Sequence, residues 1–136
     1  MNKHQLLIAE ALNSDRWIKS ESEMQACTAR LLDALGLLWF HPANERNCTP
    51  QRGTRLKRAG VKPGVPDIII FDTILKEGIL LQIGCAIELK YGKNRSTNAQ
   101  KKWLVALQEN GWYADIAYNM ADLIAILEAC GYIDGC

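Results

Sequence analysis

Gly64-Val65-Pro66-Asp67-Ile68-Ile69-Ile70-Phe71 and, further on, Ala86-Ile87-Glu88-Leu89-Lys90 are the two stretches that decide the fold. Ile68 to Phe71 is apolar and rich in β-branched side chains, which predicts a strand buried on both faces. Asp67 opens that strand. Glu88 lies near the end of the next strand region, and the two are close enough in sequence to pair as a hairpin. Glu88 and Lys90 are two residues apart and so share a face. A carboxylate in an apolar strand is costly to bury without compensation. Two acids and a lysine meeting at one sheet edge would bind a hard divalent cation through the acid oxygens. Lys90 would then stand beside the activated water or the reacting phosphate. The plainer alternative is an Asp/Glu–Lys ion pair at a strand end.

Working outward, Ser20 is a helix N-cap with Glu23 three residues on as a capping box. Met24, Cys27, Leu31 and Leu35 then repeat at helical spacing, so Ser20 to Leu35 reads as an amphipathic helix closed by Gly36. A shorter helix is expected over 2–12 and a short strand over Leu37 to His41. Residues 42–65 read as a loop with a helical turn at Thr54–Ala59. Lys76-Glu77-Gly78 marks a turn, and Ile79 to Lys90 a strand region bulged at Gly84. A helix over Thr97–Asn110, a strand over Trp112–Tyr118 and a helix over Ala121–Cys130 follow. The order predicts an α/β domain with a mixed sheet. A third acid comes from the first core helix. Glu21 lies close to the stripe of Met24, Leu31 and Leu35, whereas counting Cys27 moves the stripe toward Glu23. Glu21 is the preferred inward acid, and Glu23 stays open.

The chain has 136 residues, 16 Lys+Arg against 15 Asp+Glu, and a formal charge of +1. That length suits one domain, 1–136, with 1–15 as an N-terminal helical extension. An apolar content of 49% excludes disorder of the whole chain. No apolar run is long enough to cross a membrane, and residues 1–15 make a poor signal peptide because Glu10 interrupts the apolar stretch. The near-zero charge argues against nucleic acid only until the charges are mapped. Arg46, Arg52, Arg55, Lys57, Arg58 and Lys62 lie in one acid-free window. Lys90, Lys93, Arg95, Lys101 and Lys102 lie in another. Together these are 11 of the 16 cations. After Gln108 the pattern inverts to Glu109, Asp115, Asp122, Glu128 and Asp134, with no cation. Such segregation makes a local field that the sum hides. The five cysteines are odd in number and lack CxxC spacing. A disulfide framework or zinc ribbon is therefore disfavoured, and a reducing cytoplasm fits.

The two opening stretches resemble the signature of the PD-(D/E)xK nuclease superfamily, and more closely its virus-type replication-repair nuclease (VRR-NUC) family. Four further stretches carry the resemblance: Glu21-Ser22-Glu23-Met24-Gln25, His41-Pro42-Ala43-Asn44-Glu45-Arg46, Lys62-Pro63-Gly64, and Ser96 to Gln100 with Trp103. It runs from about Glu21 to Tyr132. It implies a restriction-endonuclease-like α/β core, a central mixed sheet flanked by helices.

It also implies a metal-dependent DNA endonuclease. Asp67, Glu88 and the Leu89 backbone carbonyl would hold Mg²⁺ or Mn²⁺, with Glu21 completing the site. Lys90 would be the catalytic lysine, and Gln100 the family glutamine touching phosphate or an active-site side chain. His41 and Asn44 fall on further matching positions. Asn44, Arg46, Arg52, Arg55, Lys57, Arg58, Lys93 and Arg95 become candidates for DNA contact, with Lys101 and Lys102 as further cations. No base-reading motif is present, so recognition by backbone and shape is expected. The chain resembles the stand-alone form of phages and bacteria. By analogy, symmetric cutting of branched DNA such as four-way junctions or flaps would require a homodimer, with 1–15 and Ile124 to Tyr132 as candidate surfaces. A non-catalytic DNA-binding module and a restriction-type enzyme are the alternatives.

Overall fold

The computed structural model describes residues 1–42 and 49–134. Asn44, Arg46, Cys48 and Cys136 lie outside the described residues. Five helices and six strands follow in the order α1 (Lys3–Ser14), α2 (Glu21–Ala34), β1 (Trp39–Phe40), α3 (Pro50–Arg58), β2 (Ile68–Ile70), β3 (Ile74–Lys76), β4 (Ile79–Gln82), β5 (Cys85–Leu89), α4 (Asn98–Glu109), β6 (Tyr113–Ala117) and α5 (Met120–Ala129) among the described residues. Strands β1-β2-β5-β6 form one sheet in that spatial order, and β3-β4 a separate ribbon. β1 with β2 and β2 with β5 are antiparallel, whereas β5 with β6 is parallel, with α4 as the crossover. The sheet is therefore mixed, as expected.

Helix α2 begins where Ser20 Oγ accepts the Glu23 N–H at 3.1 Å. It ends as the Leu37 N–H reaches back to the Leu32 carbonyl and the Gly36 N–H to Asp33, with Gly36 at φ +73°. That left-handed residue is where glycine costs least. The Glu23 carboxylate accepts the Lys19 N–H at 2.7 Å, so this acid is spent on the helix start.

One face of the sheet meets α1, α2 and α5 through Ile8, Met24, Leu31, Leu32, Ile68, Ile70, Ile87, Leu89, Leu123 and Leu127. The other meets α4 through Ile69, Ala86, Leu104 and Ala114. Every residue of β2 and β5 is buried, which is why both read as near-continuous apolar runs. The α1–α5 pair is locked by Asp15, whose carboxylate accepts the Met120 and Ala121 N–H groups at 2.7 and 3.1 Å. No helix among the described residues is long and apolar enough to cross a membrane.

Two expectations need correction. Ile79 to Lys90 is not one bulged strand. The chain passes from the ribbon to the main sheet at Ile83–Gly84, where a Cβ on Gly84 would lie 2.5 Å from the Trp112 ring and 2.6 Å from the Ile70 carbonyl. The strand after Asp67 therefore pairs with β5, and the β3–β4 ribbon is inserted between them. Its turn places Glu77 at φ 53° and Gly78 at φ 78°, the paired left-handed residues of a two-residue hairpin. Second, the helix expected at Thr54–Ala59 starts earlier, because Thr49 caps the Arg52 N–H and Pro50 supplies a preset first turn. Ile8 and Ala11 of α1, with Ile124, Ile126, Leu127 and Cys130, are buried in the chain's own core, whereas Leu6 and Leu12 of α1 stay exposed.

Gly64 fixes the segment that leads into β2. It sits at φ +84°, and an added Cβ would lie 2.6 Å from the Ala99 carbonyl carbon and 2.8 Å from the Gln100 nitrogen. Gly60, at φ +98°, has open space around it. Gly64→Ala is expected to destabilise by about 2–4 kcal/mol, combining left-handed strain with backbone overlap, and Gly60→Ala by about 1–2 kcal/mol from strain alone. Urea denaturation of both variants checks the difference.

Candidate metal and phosphate site

The site is assembled by strand register. Ile68 pairs with Ile87, and one more step of that antiparallel register sets Asp67 opposite Glu88. Cross-strand partners point to the same side of a sheet, so the two carboxylates converge. Asp67 Oδ2 accepts the Leu89 N–H at 2.9 Å, which holds this acid against β5. The Asp67 carbonyl accepts a hydrogen bond from His41 Nδ1 at 2.6 Å. His41 thus braces the backbone at Asp67.

Glu88 is 1% exposed and Lys90 4%. The Lys90 ammonium lies 4.0 Å from Glu88 Oε1, too far for a hydrogen bond. Gln100 on α4 donates from Nε2 to Glu88 Oε1 at 3.2 Å, and its Oε1 accepts the Thr97 N–H at 2.8 Å. One buried side chain therefore completes the capping box of α4 and holds the acid. Glu88 Oε2 has no hydrogen-bond partner among the described residues. Glu21, at the first position of α2, enters the same space. One carboxylate oxygen each from Glu21, Asp67 and Glu88 lie within 4.8 Å of one another.

Burial is the main force on Glu88. It pushes the carboxyl up to about 9, and the shared proton and charge of Asp67 act in the same direction, with Glu21 adding to them. Lys90 opposes this incompletely. Three carboxylates that each bring one oxygen within 4.8 Å of the others form the donor set that a hard divalent cation takes. The residues present fit such an ion.

The structure brings together Glu21, Asp67, Glu88, Lys90 and Gln100. Glu23 is left outside, at the start of α2. Arg52, Arg55, Lys57 and Arg58 are exposed on α3, which buries no residue at all. Lys93 and Arg95 are exposed between β5 and α4, and Lys101 and Lys102 on the outer side of α4. The backbone donor at Leu89 carries no signal in sequence, because any residue type supplies it.

The fold defines the class: an α/β domain with the restriction-endonuclease-like core. A solved structure described as a VRR_NUC domain protein matches this chain with a TM-score of 0.56 and 20% identity, covering 95% of this chain and 88% of that one. The chain has that fold. No protein-family model and no curated protein matches the sequence.

The Glu88 shift sets a pH dependence. Without a cation, the folded protein keeps a proton at Glu88 that the unfolded chain releases at the ordinary value of 4.5. The contribution to stability is complete below that value and is lost as pH rises toward 9. In EDTA, the urea midpoint should fall between these limits, and Glu88→Gln should flatten the fall. A wild-type midpoint constant from pH 5 to 9 would contradict the assignment.

Proposed function

We propose that the chain is a VRR-NUC-type nuclease that hydrolyses DNA phosphodiesters with Mg²⁺ or Mn²⁺, acting on branched DNA such as four-way junctions or flaps. The observation that carries this reading is the convergence of Glu21, Asp67 and Glu88 beside the buried Lys90. In it, Asp67, Glu88, Glu21 and the Leu89 carbonyl hold the cation. When bound, that ion polarises the phosphate and makes water a stronger nucleophile.

The chain's own residues do the rest. Gln100 fixes Glu88 in orientation through its bond to Oε1. The Leu89 N–H does the same for Asp67. Lys90 presents a buried positive charge at the place where negative charge develops on the phosphate, where low exposure strengthens its effect. Arg52, Arg55, Lys57 and Arg58 on the exposed α3, with Lys93 and Arg95, position the duplex through its phosphates. Arg46 and Asn44 complete this set in sequence. A second copy would supply the second active site for symmetric cutting.

Cleavage of a four-way junction, a flap and linear duplex, with Mg²⁺ or Mn²⁺, tests the reading. Asp67→Ala and Glu88→Ala should abolish cutting. Lys90→Ala should lower kcat by about a hundred- to a thousandfold, the scale of one lost oxyanion donor. Equal cleavage by wild type and Asp67→Ala would overturn the site. A non-catalytic binding module would show no heat of metal binding that disappears in Glu88→Ala. Arg55→Ala should weaken binding alike for all sequences and reduce the salt slope by about 1.

A further inference from the structure

The β3–β4 ribbon leaves the main sheet after Phe71 and returns at Ile83. Ile74 is its buried anchor, and every residue from Leu75 to Leu81 is exposed. Leu75 faces Leu80 across the ribbon, and the next pair is Lys76 with Ile79. Successive pairs point to opposite sides, so both sides carry exposed apolar groups. A two-stranded hairpin with nothing against it is marginal in water. β4 also has a free edge. Among the described residues, the backbone bond that ties Ile79–Ile83 to anything beyond β3 runs from the Ile83 N–H to the Gly111 carbonyl, at 2.9 Å. Ile79-Leu80-Leu81-Gln82 holds no charge and no proline, the devices that keep an edge strand from pairing.

The foot of the ribbon is apolar too. Phe71 stacks on Phe40 with ring centroids 5.7 Å apart, and meets Trp112 edge-on at 6.5 Å. The Leu38 carbonyl accepts the Phe71 N–H at 2.8 Å, which sets Leu38 beside them. Gly111, which holds Ile83, directly precedes Trp112, so patch and ribbon are continuous. From Leu38 to Ile83, eight large apolar side chains are 45% to 67% exposed. They amount to roughly 800 Å², beyond the largest apolar patch of an ordinary monomer and equal to what each partner brings to a standard interface.

We propose that a second copy of the chain covers this surface, with β4 lying antiparallel against the β4 of that copy. A two-fold axis runs identical strands in opposite directions, so each free edge meets groups that match its own. The apolar sequence of β4 complements itself. The charges of the ribbon, Lys76 and Glu77, are one of each sign, so two ribbons meet without net repulsion. Phosphate has little to hold it here, with one cation on the whole ribbon. The surface rests on these observations; its service to the reaction, two active sites in one particle, rests on the nuclease reading.

Sedimentation of the full chain without DNA, from micromolar to near-millimolar concentration, tests the proposal. Wild type should sediment at twice the chain mass. Leu80→Lys and Leu81→Lys, both at exposed positions, should raise the dimer Kd at least a hundredfold with an unchanged circular dichroism spectrum. Leu6→Lys, on the exposed side of α1, should leave the dimer intact. In wild type, amide exchange at Ile79–Gln82 should slow as concentration rises. A monomeric wild type, a dimer that Leu6→Lys breaks and Leu80→Lys does not, or exchange at β4 that ignores concentration overturns the proposal. So does a monomer that binds neutral phosphatidylcholine vesicles through Leu80, which would give the surface to a membrane. With Mg²⁺, Leu80→Lys should still nick DNA but lose paired incisions on a four-way junction. A monomeric wild type that cuts DNA removes the dimer surface and leaves the nuclease reading. A Leu80-dependent dimer that cuts no DNA does the reverse.

Discussion

Glu88 lies 1% exposed in a strand whose five residues are all buried, and most of the local architecture answers to that carboxylate. An ionised acid in such a place is costly unless it is paired, hydrogen-bonded or bound to a cation. The protein supplies only part of this. Gln100 donates to one oxygen, and Lys90 lies near but at 4.0 Å. Asp67 and Glu21 add negative charge to it. The balance tips toward the protonated form, which relieves the repulsion between the acids. Three converging carboxylates are the donor set that a hard divalent ion takes.

The requirement propagates through α4. Gln100 can reach Glu88 only if the start of α4 is held still, and its other oxygen fixes that start through Thr97. The segment before Asp67 packs on the same point. Trp103 Nε1 donates to the Pro63 carbonyl at 3.0 Å, and Gly64 lies against Ala99 and Gln100 so closely that a side chain has no room. The two acids thus arrive from opposite sides of a strand pair, and both are anchored to one helix terminus. Helix α2 brings Glu21 from the other face of the sheet, because Ser20 starts the helix one residue before that acid.

The charge arithmetic gains meaning from the same layout. A sum of +1 hides exposed cations on α3 and around the start of α4. Several acids after Gln108 have local tasks instead. Asp122 Oδ2 accepts the Tyr118 N–H at 2.9 Å, and Asp115 Oδ1 accepts the Ile116 N–H at 2.7 Å. α3 itself buries no residue, so its four cations, Arg52, Arg55, Lys57 and Arg58, stand exposed.

The sequence by itself determined the two buried strands, the acids and lysine on them, and the Ser20 cap of α2. These depend on period-2 and period-3.6 patterns and on short-range hydrogen bonds, which are local. It also carried the resemblance that led to the fold. Only the tertiary structure decided that β5, not β4, pairs with β2. That choice turns on Gly84 fitting beneath Trp112 and Ile70, a contact between segments far apart in the chain. It likewise decided between Glu21 and Glu23, because both sit in one helical turn and only the bond from Lys19 assigns Glu23 to the helix start. The burial of Gln100 and the backbone donor at Leu89 were decided the same way. Periodicity leaves Gln100 on an ambiguous helix face, and a backbone N–H is the same whatever residue bears it.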